Sequence, residues 1–281
     1  MALRLLGVPW DQTSLGVKGA RLAPEAVRRE LATLFPYDPV HGRAAAFLRG
    51  RDLSLGEDPR DLLQEVARAV EQEERRDPEA PLLLLGGDQA VAYAALSALH
   101  RRFRDLAVVS LDGSLDLDDP AGDLTHHNWL ARAMKDLQVE ATVLGPGRFL
   151  GSRESFAQAR ELGVSWITAP ALRRTADLSV LPELRALADN DRDLYLTLDV
   201  SALDAASAPG CANPNPDGLL PPQLGALLEH LLALPRIRGL DLCEVNPARD
   251  PLGTTARTAA WLLSVAISRL GEEPVGPPPR P

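Results

Sequence analysis

Short, continuous apolar runs of strand length recur along the chain, at residues 5–8, 46–48, 82–85, 106–111, 142–144, 164–168, 194–198 and 239–245. They lack strict alternation of apolar and polar positions, which is how parallel strands covered on both faces read. Longer amphipathic stretches separate them and predict helices over 25–34, 62–76, 89–103, 128–137, 154–162, 181–188, 222–234 and 255–270. Pro24 and Asp58-Pro59 stand where helices open, because proline pre-sets the first-turn backbone angle and needs no partner for an amide hydrogen it lacks. Strand and helix alternate throughout. This order predicts an α/β fold of three layers, α/β/α, around a mostly parallel central sheet with right-handed crossovers. Residues 1–272 are expected to form one domain, and the proline-rich segment 273–281 a flexible tail.

Composition narrows the function classes. The chain has 281 residues, enough for one large core, and 30 basic against 39 acidic side chains give a formal charge of -9. That balance argues against nucleic acid or an anionic membrane as partner and for small-molecule chemistry. Two cysteines, Cys211 and Cys243, make no disulfide framework, and the opening apolar stretch is too short for a signal segment or membrane span. A cytoplasmic location is the expectation.

In an open parallel sheet, ligands bind beyond the carboxyl ends of the strands. Three loops placed there are acidic: Gly86-Gly87-Asp88-Gln89, Asp112-Gly113-Ser114-Leu115-Asp116 and Asp199-Val200-Ser201-Ala202-Leu203-Asp204. Each alone reads as turn or cap chemistry. Together they bring carboxylates to one end of the core, where they repel unless a cation or protons neutralise them. No P-loop, nucleophile elbow or zinc-protease helix is present.

These loops resemble the signatures of the ureohydrolases, the arginase, agmatinase and formimidoylglutamase family. The family's G-G-D-H, D-A-H-x-D, S-x-D-x-D-x-x-D-P and E-x-N-P motifs are matched in order by residues 86–89, 112–116, 197–205 and 244–247. Gly7-Val8-Pro9-Trp10-Asp11, Gly19-Ala20-Arg21, Pro24 and Arg28 are similar to its opening. The resemblance implies an arginase-like fold, assembly into trimers or hexamers, and hydrolysis of a C–N bond in a guanidino or amidino compound by two manganese ions held by two His and four Asp. Carried over singly, Asp112, Asp116 and Asp199 match metal ligands, whereas Gln89, Ser114 and Ser201 stand at lost ligand positions. His126 aligns with a proton-shuttling loop histidine and Glu244 with the carboxylate that meets substrate nitrogen. Asp204 matches a framework position and reads as structural.

An intact dinuclear manganese centre is therefore not expected. An all-oxygen remainder suits at most one ion, manganese or a harder cation such as magnesium or calcium, or no ion at all. The favoured expectation is a pseudoenzyme, a non-catalytic ligand-binding, regulatory or assembly homologue that takes a small guanidino, amidino or amine ligand on Asp112, Asp116, Asp199 and Glu244. It would form a homo-oligomer or join a paralogue. The alternative is a hydrolase using a single or atypical ion, with His126 moving the proton and Glu244 orienting substrate. For Thr125-His126-His127-Asn128 a plainer alternative is a loop leading into a helix, capped by Thr125 or Asn128, with both imidazoles solvated.

Overall fold

The computed structural model describes residues 3–45, 47–119 and 121–271. The proline-rich segment 273–281 lies outside the described residues, as does position 46 of the predicted run 46–48. In chain order the elements are β1 (Leu3–Gly7), α1 (Ala23–Leu31), β2 (Tyr37–Asp38), β3 (Arg43–Ala44), β4 (Phe47–Asp52), α2 (Pro59–Arg76), β5 (Leu82–Leu85), α3 (Ala90–Leu99), β6 (Leu106–Leu111), α4 (Trp129–Leu137), β7 (Glu140–Leu144), α5 (Arg153–Leu162), β8 (Ser165–Ile167), α6 (Ala169–Arg174), α7 (Pro182–Asp189), β9 (Asp193–Asp199), α8 (Pro221–Leu232), β10 (Ile237–Cys243) and α9 (Thr254–Leu270). Eight strands form one sheet in the order β4-β1-β5-β10-β9-β6-β7-β8. All its pairings are parallel.

The strands alternate between two apolar layers, as a pleat of period two requires. Leu83, Leu85, Val109, Leu111, Leu196 and Leu198 face the layer made with α1, α8 and α9. Leu82, Leu84, Val108 and Tyr195 face the layer made with α2, α3 and α4. Both faces are thus dry, which is why the strands read as unbroken apolar runs. Each predicted run corresponds to a strand of this sheet. The strand that holds the run at 46–48 continues to Asp52 as β4, at the edge of the sheet.

Local chemistry sets the boundaries. Asp58 caps α2 by accepting the Arg60 N–H with Pro59 in the first turn, and Ser152 accepts the Ser155 N–H at the start of α5. Two pieces escaped the sequence reading: the short α6, and an antiparallel hairpin in which Tyr37 pairs with Ala44 and Asp38 with Arg43. Neither is long enough to show a period. Helix α3 ends at Leu99, short of the predicted residue 103, in a tight turn where the Arg102 and Phe103 amides bond back to Leu99. No helix among the described residues is long and apolar enough to cross a membrane.

Candidate active-site cleft

Four neighbouring strands at the middle of the sheet, β5, β10, β9 and β6, deliver their carboxyl ends to one place. β5 leads into Asp88 and Gln89, β10 into Glu244, β9 ends at Asp199, and β6 leads into Asp112 and Asp116. Close packing of the turns depends on glycine at two points. A Cβ on Gly87 would lie 1.7 Å from the Trp10 carbonyl oxygen, and one on Gly113 would lie 2.6 Å from that of Ser201. The loops after β6 and β9 therefore touch backbone to backbone.

A cleft of about 520 Å³ opens above these strand ends, with Ser114, Asp116, His126, His127, Asp199, Ser201 and Glu244 in its wall. Among the described residues, five non-glycine positions have a left-handed backbone, and three of them line this cleft: Asp116 (φ 48°), Phe149 (φ 67°) and Glu244 (φ 68°). That conformation costs about 1–2 kcal/mol per residue and persists only where the surroundings enforce it. Such concentration in one cavity makes it the candidate site.

The carboxylates are buried, not splayed into solvent: Asp112, Asp116, Asp199 and Glu244 are 0%, 7%, 6% and 4% exposed. No arginine pairs with them among the described residues. Burial, and then the Asp116 charge, pushes Asp112 well above the usual carboxylate range. Burial, and then the charge of Asp112, does the same to Asp199. Asp116 is held instead by the Trp129 indole N–H at 2.8 Å and the Ser114 hydroxyl at 2.5 Å. Asp112 Oδ1 accepts the Ser114 backbone N–H at 2.8 Å and lies 3.3 Å from the Ser114 hydroxyl. Ser201 Oγ accepts the Gly113 N–H at 3.2 Å and lies 3.4 Å from the same Asp112 oxygen.

Gln89 gives its backbone N–H to Glu244 Oε1 at 2.9 Å, while its side-chain Oε1 is buried without a partner. Glu244 Oε1 also meets His126 Nδ1 at 3.0 Å. His126 is 3% exposed, so the solvated-loop alternative fails for this residue, and its Nε2 accepts the Leu15 N–H at 3.0 Å. Burial opposes a charge on His126, but the Glu244 hydrogen bond and the charges of Glu244, Asp116 and Asp88 raise its pKa to about 9. The Leu15 amide pulls the other way, toward the neutral ring. The second imidazole, His127, stacks on His126 at 4.1 Å between centroids and places Nδ1 3.7 Å from Asp116 Oδ1. Behind the cleft, burial and the Glu244 charge raise Asp88 to about 7, and Thr13 and Ser14 hydroxyls bond to it at 2.7 and 3.0 Å.

A sequence model of the arginase family matches residues 1–268. The chain belongs to that family. Among curated arginase-family proteins, it is 28% identical over 274 residues to N(1)-aminopropylagmatine ureohydrolase of Thermococcus kodakarensis, covering 95% of this chain and 90% of the relative. It is 30% identical over 269 residues to formimidoylglutamase of Halobacterium salinarum, covering 93% and 87%. Among solved structures, formimidoylglutamase from Bacillus subtilis superposes with a TM-score of 0.89 at 24% identity, over 96% of this chain and 87% of the other. Agmatine ureohydrolase of Thermoplasma volcanium gives 0.81 at 26% identity, over 95% and 89%. The parallel sheet and its flanking helices are thus the arginase fold.

The structure brings Ser114, Asp116, Asp199, Ser201, His126 and Glu244 to one cleft and buries Gln89 and Asp112 behind its wall, Gln89 bonded to Glu244 and Asp112 to Ser114 and Ser201. Asp204 stands apart in a turn, accepting the Ala206 N–H at 2.9 Å, the framework role its sequence position suggests. Sequence reasoning missed Trp129, Leu15, Phe149 and the role of His127 beside Asp116. Only His127 carried a signal, its place next to His126; the others are joined to the site by folding.

Proposed function

We propose that this arginase-family chain is a non-catalytic homologue whose central cleft binds a small guanidino, amidino or amine cation. The observation that carries the reading is the hydroxyl pair Ser114 and Ser201, bonded into buried carboxylates where the resemblance places metal ligands. Neutral alcohols are poor ligands for manganese, and both hydroxyls are already engaged. Nor do Asp112, Asp116 and Asp199 meet as a triad: among the described residues, the one group of three ligand side chains with atoms within 4.8 Å of one another lies elsewhere. This donor set does not fit a pair of manganese ions.

A planar cation suits it better. Guanidinium and amidine groups present paired N–H donors that match carboxylate oxygens, and their charge offsets the repulsion among Asp112, Asp116, Asp199 and Glu244. The Leu15–His126–Glu244 chain orients the last of these, while Phe149, on the cleft rim, supplies an apolar surface for the ligand's remainder. Assembly, as a homo-oligomer or with a paralogue, belongs to the same reading.

One observation favours the second reading, a hydrolase with a single ion. Gln89 Oε1 is an orphaned buried oxygen near Asp112, the kind of atom that completes an all-oxygen shell for magnesium, calcium or manganese. Asp112, Asp116 and Asp199 would hold the ion, which supplies Lewis acidity. His126 must then release the Leu15 amide before its Nε2 carries a proton.

Metal content by mass spectrometry decides between them, on protein expressed with added manganese and purified without chelator. The proposal expects no ion held at the cleft, together with saturable calorimetric binding of agmatine and no turnover. Two manganese ions per chain with hydrolysis of arginine, agmatine or formimidoylglutamate would overturn it. One ion removed by Asp112→Asn would establish the second reading.

A further inference from the structure

The hairpin β2–β3 carries a second cluster, built from elements that contribute nothing to the central cleft. His41 Nδ1 lies 2.8 Å from Asp38 Oδ2 and 3.6 Å from Oε1 of Glu229, on α8. Among the described residues, this is the one group of three His, Cys, Asp or Glu side chains whose ligand atoms all fall within 4.8 Å of one another.

We propose that Asp38, His41 and Glu229 form a site for one divalent cation of the zinc type, which ties the hairpin to α8. The donors are two carboxylate oxygens and one imidazole nitrogen, a mixture zinc accepts in four-coordinate geometry with water in the last position. Each ligand is already oriented. Asp38 Oδ1 accepts the Val40 and His41 amides at 2.8 and 3.4 Å, turning Oδ2 toward the imidazole. Glu229 Oε2 faces Arg269 at 3.9 Å, leaving Oε1 directed at His41. A neutral imidazole with two carboxylates carries two negative charges, which the ion balances; Nδ1 offers its lone pair to the ion when the ring's one N–H is on Nε2. Room for the fourth ligand exists, because the cluster forms one wall of a groove of about 390 Å³ that also holds Val40 and Trp261.

The site has a structural consequence. Two residues per strand make a hairpin that cannot hold itself in water. An ion bridging Asp38 and His41 to Glu229 fixes it against the helical layer.

The test is a calorimetric titration of the full chain with zinc after chelator treatment, paired with hydrogen exchange of the amides at 37–44. One equivalent is expected, weakened about tenfold or more by His41→Ala and by Glu229→Gln, retained in Asp112→Asn, and accompanied by slowed exchange in the hairpin. Circular dichroism verifies that each variant is folded, and Glu229→Gln, a change on an already formed helix, decides if His41→Ala fails that check. Absence of saturable binding would overturn the proposal. So would zinc that survives in Glu229→Gln but is lost from Asp112→Asn, which would assign the ion to the central cleft.

Discussion

Replacing His126 by Gln removes the charge from the His126–Glu244 contact while leaving a donor for Glu244 and an acceptor for the Leu15 amide. In the folded chain, Glu244, Asp116 and Asp88 outweigh burial and raise this imidazole from 6.5 to about 9. A raised histidine pKa means that the folded state binds the proton more tightly than the unfolded chain. The resulting stability is fully present below pH 6.5 and disappears as pH rises through about 9. The whole interval corresponds to about 3 kcal/mol, of which about 2 kcal/mol falls between pH 7.5 and 9.5. The Leu15 N–H on Nε2 favours the neutral ring by about 1 kcal/mol, the net worth of an ordinary hydrogen bond. The expected loss in that window is therefore about 1–2 kcal/mol.

Urea unfolding at pH 7.5, 8.5 and 9.5 measures it, with His126→Gln as the reference that subtracts every other group titrating there. Asp88 contributes the same sign at lower pH. Its carboxyl is raised to about 7, so the stability it supplies is present below the ordinary carboxylate value and has nearly all gone before the window opens. Nitrogen NMR of the His126 ring adds a direct readout, since protonation at Nε2 must turn the Leu15 amide away. Equal pH slopes in the native chain and the variant would refute the reasoning, because the buried carboxylates would then not be raising His126 at all.

The other expectations concern the same cleft. Asp112→Asn removes one of the mutually repelling carboxylates, so the chelator-treated variant should gain about 1–2 kcal/mol, or about 2–6 °C in melting midpoint. A loss of that size, seen by calorimetry, would mean that a bound cation had been stabilising the native chain. Gln89→His, Ser114→His and Ser201→Asp in one chain should bring bound manganese near two ions, measured by mass spectrometry; no gain would show that the close approach of Gly113 and Ser201 has closed the site. Gly87→Ala should cost more than about 3 kcal/mol in urea unfolding, because its Cβ would meet the Trp10 carbonyl at 1.7 Å, beside the 2.8 Å bond from the Asp88 amide to that oxygen.

The sheet was legible because strands covered on both faces are largely apolar, as at Leu82–Leu85, and Asp112 and Asp199 because each stands directly after such a run. What stayed hidden depends on chain folding. His126 and Glu244 are 118 positions apart, and Leu15 and His126 are 111 apart. Trp129 falls inside the predicted helix 128–137 with nothing in the sequence to single it out; its ring is fully buried, and its indole nitrogen, aimed at Asp116, belongs to the site. The hairpin was illegible for a different reason: two residues per strand show no period, so nothing placed Asp38 and His41 against Glu229.

The substitutions and the strain, taken together, argue for an occupied cleft. If the cleft had lost all use when Gln89, Ser114 and Ser201 took their positions, nothing would oppose changes that relax it. Asp116 and Glu244 could give up left-handed backbones for glycine, and Asp112 and Asp199 could become amides. The chain instead keeps four buried acidic side chains, two of them on left-handed backbone, and burial with mutual repulsion weighs on Asp112 and Asp199, which no imidazole among the described residues touches. A bound cation would offset that repulsion, and only in the folded state. By mass action, a ligand at a hundred times its dissociation constant adds about 2.7 kcal/mol, comparable with the cost of one buried, repelled carboxylate. The acidic cleft thus makes its own case for a positively charged ligand, whether or not any bond in that ligand is broken.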